Sequence, residues 1–343
     1  MTGEKSAVQA GYGRRRRRLN MTLILLALLI LCLCCAMLVM GNTVYSLETV
    51  YRVLRGEAIK GATYAVATLR LPRMLAGLFA GMAFGIGGNT FQTMLRNPLA
   101  SPDIIGITTG SSAAAVFCIL VLGLGGTVVS AAALAAGLFV AVLIYALSRG
   151  GRFSGGRLIL IGIGAQAMLG ALVSYMLLKA SEYDVASALR WMRGSLNGMQ
   201  MSDVRALSLA VIACGTCIVL FSRKLQILEL GEETATTLGV RTDRTRVVLI
   251  ANSVLLISFA TAVTGPVAFV SFLAGPIAIK LVGAGMPSTL PAALVGAALV
   301  LAADLAGQFA LPSRYPVGVI TGILGAPYLV FLLIKINRKG GAA

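Results

Sequence analysis

Long apolar runs recur along the chain, and most charged residues lie between them. The runs are continuous and rich in Leu, Ala and Gly, whereas a membrane strand alternates apolar and polar residues, so the pattern predicts helices. A helix needs about 20 mostly apolar residues to cross a bilayer. Ten runs fit this description: Leu19–Met40, Met74–Leu95, Ile104–Leu124, Val128–Leu147, Leu158–Leu178, Val204–Phe221, Val247–Val263, Val267–Val282, Leu290–Ala310 and Val317–Ile334. The pattern predicts an all-α, polytopic membrane protein with about ten transmembrane helices.

Composition agrees with this interpretation. Mean hydropathy is +0.90 and 12% of the residues are charged, whereas about 25% are charged in a typical soluble domain. Almost no chain is left for a soluble module. We therefore predict a basic tail at residues 1–18, one transmembrane domain at 19–335 and a second basic tail at 336–343.

Basic residues predict the orientation in the membrane. If the amino terminus is cytoplasmic, 19 of the 29 Lys and Arg residues fall on the inner side, as the positive-inside rule requires. They are Lys5, Arg14, Arg15, Arg16, Arg17, Arg18, Arg96, Arg149, Arg152, Arg157, Arg223, Lys224, Arg241, Arg244, Arg246, Lys280, Lys335, Arg338 and Lys339. An even number of spans places both termini on that side. The net charge of +17 then reflects topology and contact with anionic lipid headgroups.

The arginine run Arg14–Arg18 has two alternative interpretations. Nucleic-acid binding is one, but no soluble fold accompanies the run. The other is a twin-arginine or lipoprotein signal peptide, because an apolar run ending in LCLCC follows. The run Leu19–Met40 is long for a signal core and sufficient for a span, so we expect a retained first helix.

Residues that usually carry chemistry are scarce. The chain has no histidine and 12 Asp and Glu residues, so we expect neither a metal site nor an acid–base centre. It has no GxxxxGK[ST] motif for ATP. Cys214-Gly-Thr-Cys217 has the spacing of a redox pair, but it lies in an apolar run, where packing is the preferred interpretation. Movement across a membrane is the expected function.

A polar turn, MLRNPLASPD, separates the second and third runs. Arg96 lies where a cation meets the negative end of one helix dipole, and Pro98 prevents the helix from continuing. Ser101 can cap the next helix, and Asp103 meets its positive end. These local explanations account for each residue separately.

Together with its neighbours, this turn resembles the FecCD family of permeases, the membrane subunits of ABC importers for iron–siderophores, haem and cobalamin. The similar segments are Arg70-Leu-Pro-Arg73, a small-residue helix ending in Gln92, Arg96-Asn97-Pro98-Leu-Ala, PDIIGI, LELGEETATTLGV, GPVAFVSFLAGPIA, and ADLAGQ followed by PVGVITGILGAPYLVFLL. They occur in the family's order over roughly Leu69 to Leu333.

The resemblance implies the type II ABC importer permease fold and a set of partners. They are an ABC ATPase in two copies, which binds ATP and Mg, a second FecCD-type permease and an extracytoplasmic siderophore-binding protein. This chain would bind no cofactor and would not itself be an enzyme. The finer resemblance is to the catecholate-siderophore type, which predicts a ferric siderophore as substrate in the bacterial cytoplasmic membrane. Haem or cobalamin is the alternative.

The resemblance assigns ATPase coupling to the cytoplasmic loop 222–246. The candidate residues are Leu230, Gly231, Glu232, Glu233, Ala235, Leu238 and Gly239. Gly231 and Gly239 bracket a short helix with two glutamates at its positive end. We expect Ala235 and Leu238 to form one apolar face that docks in a cleft of the ATPase. A surface helix beside the membrane is the alternative.

Arginines at the predicted outer mouth are candidates for docking the binding protein. Arg70 and Arg73 come just before the second run, and the resemblance makes them partners for carboxylates, which a planar guanidinium binds with two hydrogen bonds. Snorkelling to lipid headgroups is the alternative. Arg314, in the turn LPSRYP, is a third candidate.

Polar residues within the runs are candidates for the translocation path, because such groups face the bundle interior or a cavity. They are Asn89, Gln92, Gln166, Asp304 and Gln308. Asp304 could equally cap backbone groups at a helix break. The scarcity of charge along the spans indicates walls past which a bulky chelate slides without being held.

One segment departs from the family. Where a Pro-His pair followed by arginine is usual, the chain has Ala274-Gly-Pro-Ile-Ala-Ile-Lys280, so we expect the second permease to be a different chain. An ion-driven secondary transporter would favour carboxylates within the membrane, and only Asp304 fits. A membrane enzyme or receptor would need a catalytic cluster, which is lacking.

Overall fold

The computed structural model describes residues 2–148, 155–283 and 285–340. Within these segments all regular secondary structure is helical, with no strand, which confirms the predicted all-α class. Arg149 and Arg152, which were assigned to the inner side, lie outside the described residues, as do residues 341–343 of the predicted second tail.

The α-helices are α1 (Thr2–Val39), α2 (Leu47–Leu54), α3 (Leu71–Met94), α4 (Ile107–Leu120), α5 (Thr127–Ser148), α6 (Gly155–Lys179), α7 (Glu182–Met192), α8 (Met201–Ala210), α9 (Thr216–Leu220), α10 (Ser222–Glu229), α11 (Glu232–Thr237), α12 (Thr242–Thr264), α13 (Val270–Val282), α14 (Thr289–Phe309) and α15 (Val317–Gly340). Tyr64–Arg70 and Val211–Gly215 are π-helical, and Pro102–Ile105 is a 3₁₀-helix.

The predicted apolar runs all correspond to helices. In the part of the chain that the structure describes, seven helical segments are long and apolar enough to cross a membrane, and three further apolar helices are shorter. Together they match the ten predicted runs. The second span is the continuous segment Tyr64–Met94, so Arg70 and Arg73 lie inside it and not before it. The predicted run begins only at Met74 because Arg70 and Arg73 interrupt the apolar sequence before it, whereas the helical backbone already begins with the π-helical segment Tyr64–Arg70.

The first helix also extends further than its apolar run. α1 contains 38 residues and is therefore about 57 Å long, well beyond the roughly 30 Å of hydrocarbon in a bilayer. The last residue of its arginine run, Arg18, contacts the end of α13 and donates to the carbonyl oxygens of Leu281 at 2.7 Å and Lys280 at 2.9 Å. The helix is continuous across the predicted boundary between the tail 1–18 and the transmembrane domain.

Two short helices between the spans were not predicted. α2 is capped by Ser46, whose hydroxyl accepts from the Thr49 amide at 3.2 Å, and α7 is capped by Ser181, which accepts from the Asp184 amide at 3.3 Å. A search for long apolar runs overlooks such amphipathic helices, although their serine caps are visible in the sequence.

α3 lies at the centre of the bundle. Of its 24 residues, 18 are buried, and it packs against α12, α13 and α14. A Cβ atom placed on Gly81 would lie 2.5 Å from the carbonyl oxygen of Gly296 and 2.6 Å from the Cα atom of Ala297. α3 and α14 therefore touch backbone to backbone, as small residues allow in membrane helices.

We name the two ends of the bundle by their residues. The loop face holds Arg18, loop 222–246 and the turn at residues 95–103, near the end of α3. The mouth face, at the start of α3, holds Arg73 and Arg314.

The close contact predicts a large effect from one added methyl group. Gly81→Ala should lower the free energy of unfolding by about 1–3 kcal/mol, because neither backbone can move freely. Gly170→Ala in α6 is the matched control, since a Cβ there meets nothing within 4 Å, and it should be neutral or stabilising by up to about 1 kcal/mol. Thermal unfolding in one detergent compares the two. Equal stability of both variants would contradict the close packing.

Candidate functional site

The predicted short helix of loop 222–246 is present as α11, between Gly231 and Gly239. Both glycines have positive φ, at 111° and 81°, so both turns use backbone conformations that favour glycine. Glu232 accepts a hydrogen bond from Arg246 in α12, with 3.1 Å between the Arg246 Nη1 and Glu232 Oε2 atoms. This ion pair ties the start of α11 to the bundle.

The apolar residues of this loop do not share one face, contrary to the expectation for Ala235 and Leu238. Ala235 is fully buried, whereas 58% of Leu238 and 62% of Leu230 are exposed. Leu238 is the C-cap residue of α11, and its amide still donates to the Thr234 carbonyl oxygen at 3.1 Å, but its side chain does not pack on the bundle as Ala235 does. α11 is therefore fixed through Ala235 and Glu232, and it is flanked by two exposed leucines. Glu233 is also exposed.

The turn after α3 is a hydrogen-bonded helix end. The Arg96 amide donates to the Thr93 carbonyl at 3.2 Å, and the Asn97 amide donates to the Gln92 carbonyl at 3.0 Å, which is the Schellman pattern. Arg96 has a φ of 51°, in the left-handed region that costs a residue with a Cβ about 1–2 kcal/mol. Arg96 is exposed, and the Asn97 side chain accepts from the Leu99 amide at 2.8 Å.

The second half of this turn follows the prediction. The Ser101 hydroxyl accepts from the Asp103 amide and so caps the helical turn Pro102–Ile105. The Asp103 carboxylate accepts from Thr108 at 2.8 Å and from Ser101 at 3.1 Å. Burial raises the pKa of Asp103, and these two hydrogen bonds oppose the rise. Gln166 donates to the Asp103 carbonyl oxygen, which places this path candidate at the loop face.

Two of the path candidates are buried where α3 meets α13 and α14. The side-chain Nε2 group of Gln92 donates to the carbonyl oxygens of Phe272 at 2.9 Å and Pro98 at 3.1 Å. The Asn89 side-chain oxygen accepts from the Ser288 hydroxyl at 2.9 Å. Among the described residues, the Gln92 Oε1 and Asn89 Nδ2 atoms have no hydrogen-bond partner, which is costly for buried polar atoms. Both residues link the end of α3 to neighbouring segments, and each keeps one polar atom without a hydrogen bond in the described residues.

At the mouth face, Arg73 and Asp304 form a two-pronged ion pair. The Arg73 Nε and Nη2 atoms each lie 2.8 Å from an Asp304 oxygen. Gln308 donates to the same carboxylate at 2.7 Å, and Arg73 donates to the Asn197 side chain at 2.5 Å. Asp304 is 1% exposed and Arg73 is 19% exposed. α14 continues through Asp304, so the alternative of a cap at a helix break is wrong.

The other two arginines contact the end of α1 or the segment that follows it. Arg70 donates to the carbonyl oxygens of Leu38 and Val39, both at 2.8 Å, and of Thr43 at 2.6 Å. Exposed Arg314 donates to the side chain of Asn42.

All three arginines line one cavity of about 330 Å³, together with Gln308. The structure thus brings together residues that are far apart in sequence. Three guanidinium groups and one carboxylate meet at this site, which leaves it positively charged. Asn197 was missed by the sequence analysis, because an asparagine in a connecting segment carries no recognisable signal.

In the described residues, no group of three or more His, Cys, Asp or Glu side chains could hold a metal ion. All six cysteines are free, including Cys214 and Cys217.

Comparison with known proteins identifies the family. The sequence model of the FecCD transport family matches residues 25–335. The ferric enterobactin transport system permease protein FepG of Escherichia coli strain K12 is 38% identical over 297 residues, which covers 86% of this chain and 90% of FepG. FepD, from the same system and strain, is 36% identical over 310 residues, covering 89% of this chain and 92% of FepD.

A third relative is the achromobactin transport system permease protein CbrC of Dickeya dadantii, 38% identical over 304 residues, covering 88% of this chain and 87% of CbrC. A solved structure of a metal-chelate type ABC transporter in an inward-facing conformation superposes with a TM-score of 0.81 at 26% identity, covering 91% of this chain and 98% of that chain. The match extends over nearly the whole length of each protein, and this chain therefore belongs to the FecCD transport family.

Proposed function

We propose that this chain is the permease subunit of an ATP-driven importer that carries a ferric siderophore across the bacterial cytoplasmic membrane. The observation that carries the proposal is the 38% identity with FepG over 86% of the chain. The cobalamin import permease BtuC of Halobacterium salinarum is also similar, at 35% identity over 276 residues, and it keeps cobalamin as the alternative substrate. The positive charge at the mouth face favours an anionic chelate or an acidic partner at that end.

The proposal includes the orientation. The loop face is cytoplasmic, with both terminal segments on that side, and the mouth face is extracytoplasmic. Anionic headgroups of the inner leaflet would attract the arginine run next to the α13 end. ATP and Mg belong to the partner ATPase.

We assign ATPase docking to α11 and its flanking leucines. Leu230 and Leu238 are large apolar side chains exposed outside the predicted apolar runs. Exposed apolar surface on a loop that lipid does not cover is typical of a protein interface. The anchors at Ala235 and Glu232 support the transmission of force, because a helix fixed to α12 moves with it.

We assign binding-protein docking at the mouth face mainly to one of the three arginines, Arg314. The donors of Arg73 and Arg70 are largely used within the chain, whereas Arg314 makes one hydrogen bond in the described residues. Arg314, the third candidate from the sequence, becomes the principal one. Asp304 and Gln308 then orient Arg73, and the unsatisfied atoms of Asn89 and Gln92 favour these two residues as the path candidates.

The second permease is proposed to be a different chain. FepG and FepD are named as permeases of one enterobactin system, and both are similar to this chain. α13 also lacks the Pro-His pair, and its Pro276 lies inside the helix. This arrangement would complete an importer with two ATPase copies.

Import should require the complete set of proteins. Vesicles that contain this chain, a second permease and the ATPase, supplied with the binding protein, should accumulate a labelled ferric catecholate and lose import when any one is omitted. An active complex with two copies of this chain would contradict the heterodimer. Accumulation of cobalamin but not of ferric chelates would overturn the substrate assignment.

Leu238→Arg should reduce import by at least about tenfold, because a central apolar contact in an interface is worth 1–2 kcal/mol or more. The fold should survive, since Leu238 is exposed. Ala235→Arg is the contrasting variant and should lower thermal stability, because Ala235 is fully buried. Import, ATP hydrolysis and melting temperature are measured on the same preparations. Normal import by Leu238→Arg would show that α11 is not the docking element.

Arg314→Glu and Arg73→Glu should have different effects. Arg314→Glu should weaken binding-protein affinity, more at low salt than at high salt, because the group is exposed and screened by ions. Arg73→Glu should instead lower stability by about 3–5 kcal/mol, because it leaves the Asp304 carboxylate buried without its partner. Arg73→Asp combined with Asp304→Arg should recover part of that stability. Affinity at two ionic strengths and thermal unfolding separate these outcomes. If Arg314→Glu leaves the affinity for the binding protein unchanged, the assignment of docking to Arg314 is wrong.

A further inference from the structure

Arg96 combines a strained backbone with an unused side chain. It is one of two non-glycine residues with positive φ among the described residues, and it occupies the position after a helix at which glycine is usual. Its guanidinium makes no hydrogen bond, ion pair or ring contact within the part of the chain that the structure describes. Attraction between the guanidinium and the negative end of the α3 dipole offsets part of the strain. A lysine anywhere in the last turn would provide the same attraction without a left-handed backbone.

The side chain of Arg96 lies next to the proposed ATPase-docking surface. Its Nη1 atom is 3.5 Å from the position that a Cβ on Gly231 would occupy. Gly231 is the N-cap of α11 and follows exposed Leu230. The left-handed backbone therefore directs a cation from the end of α3 to the start of α11.

Nearby acidic groups do not neutralise this cation. Glu232 is paired with Arg246. Glu229 lines a small cavity of about 160 Å³ together with Arg96 and Gln92, but it forms no ion pair with Arg96. Arg96 is thus an exposed charge at the edge of an exposed apolar surface, an arrangement typical of the polar rim of an interface.

We propose that Arg96 binds a carboxylate of the ATPase subunit, at the edge of the surface formed by Leu230 and Leu238. This inference rests on the proposed function. A guanidinium suits the role because it binds a carboxylate with two parallel hydrogen bonds. The ATPase would then contact the end of α3 directly, in addition to its contact with α11. α3 in turn contacts α13 through Gln92.

The test uses the complete complex in lipid nanodiscs and three substitutions at one position. Arg96→Gln removes the charge and keeps the Cβ atom. Arg96→Lys keeps the charge but lacks the planar guanidinium that can bind a carboxylate with two hydrogen bonds. Arg96→Gly removes both the charge and the backbone strain. Arg55→Gln is the control, because Arg55 is an exposed arginine in the segment after α2 that contacts the ring of Tyr51. ATPase affinity is measured at low and high salt, together with import and melting temperature.

We expect Arg96→Gln to weaken ATPase binding by about tenfold at low salt and by less at high salt. Arg96→Lys should retain part of the affinity. Arg96→Gly should bind as weakly as Arg96→Gln while its melting temperature rises by about 2–4 °C, a combination that a purely structural role cannot produce. Arg55→Gln should behave as wild type.

Wild-type affinity and import in both Arg96→Gln and Arg96→Gly would overturn the inference. A defect that occurs in anionic nanodiscs and vanishes in neutral ones would also overturn it, because the partner would then be a lipid phosphate. If Leu238→Arg uncouples the importer while the Arg96 variants do not, only this inference fails. If Leu238→Arg is also silent, the docking assignment of α11 fails with it.

Discussion

The arrangement of both candidate regions depends on the contact between α3 and α14. Water exclusion does not drive helices together in lipid, so their association depends on close packing. Gly81 and Gly296 permit this packing because neither has a Cβ atom at the crossing. The contact fixes α3 across the bundle, and its 24 residues span about 36 Å. One rigid helix therefore carries Arg73 at the mouth face and Gln92 at the loop face.

Local pairing determines which charges remain available. At the mouth, Asp304 is almost fully buried and would be costly without a partner, so Arg73 satisfies it with the edge of its guanidinium that carries Nε and Nη2. Arg70 satisfies carbonyl groups at the end of α1, which have no helical partner. Arg314, on the exposed turn before α15, makes one hydrogen bond in the described residues. Burial, and not the order of the motif in the sequence, thus separates structural arginines from available ones.

The sequence predicted the features that are encoded locally. Long apolar runs identified the spans, the glycines at 231 and 239 identified α11, and Ser101 identified the cap of the following turn. Each depends on a few consecutive residues. The pairing of Arg73 with Asp304 was not predictable, because 231 positions separate them and only the packing of α3 on α14 brings them together. The different burial of Ala235 and Leu238 was also missed, because helical spacing predicts which residues share a face but not which of them the bundle covers.

The exposed leucines of the spans differ physically from Leu230 and Leu238. Leu160 and Leu209 are exposed on spans, where lipid covers them, so their exposure has no cost in the membrane. Leu230 and Leu238 lie between α10 and α12, in a loop outside the apolar runs. There each leucine would expose to water a side chain whose burial is worth about 1.5–3 kcal/mol. The ion pair between Glu232 and Arg246 and the burial of Ala235 attach this loop to the bundle, while both leucines remain exposed. The exposure of both leucines supports the proposed contact with the ATPase, because a partner surface that covers them removes this cost.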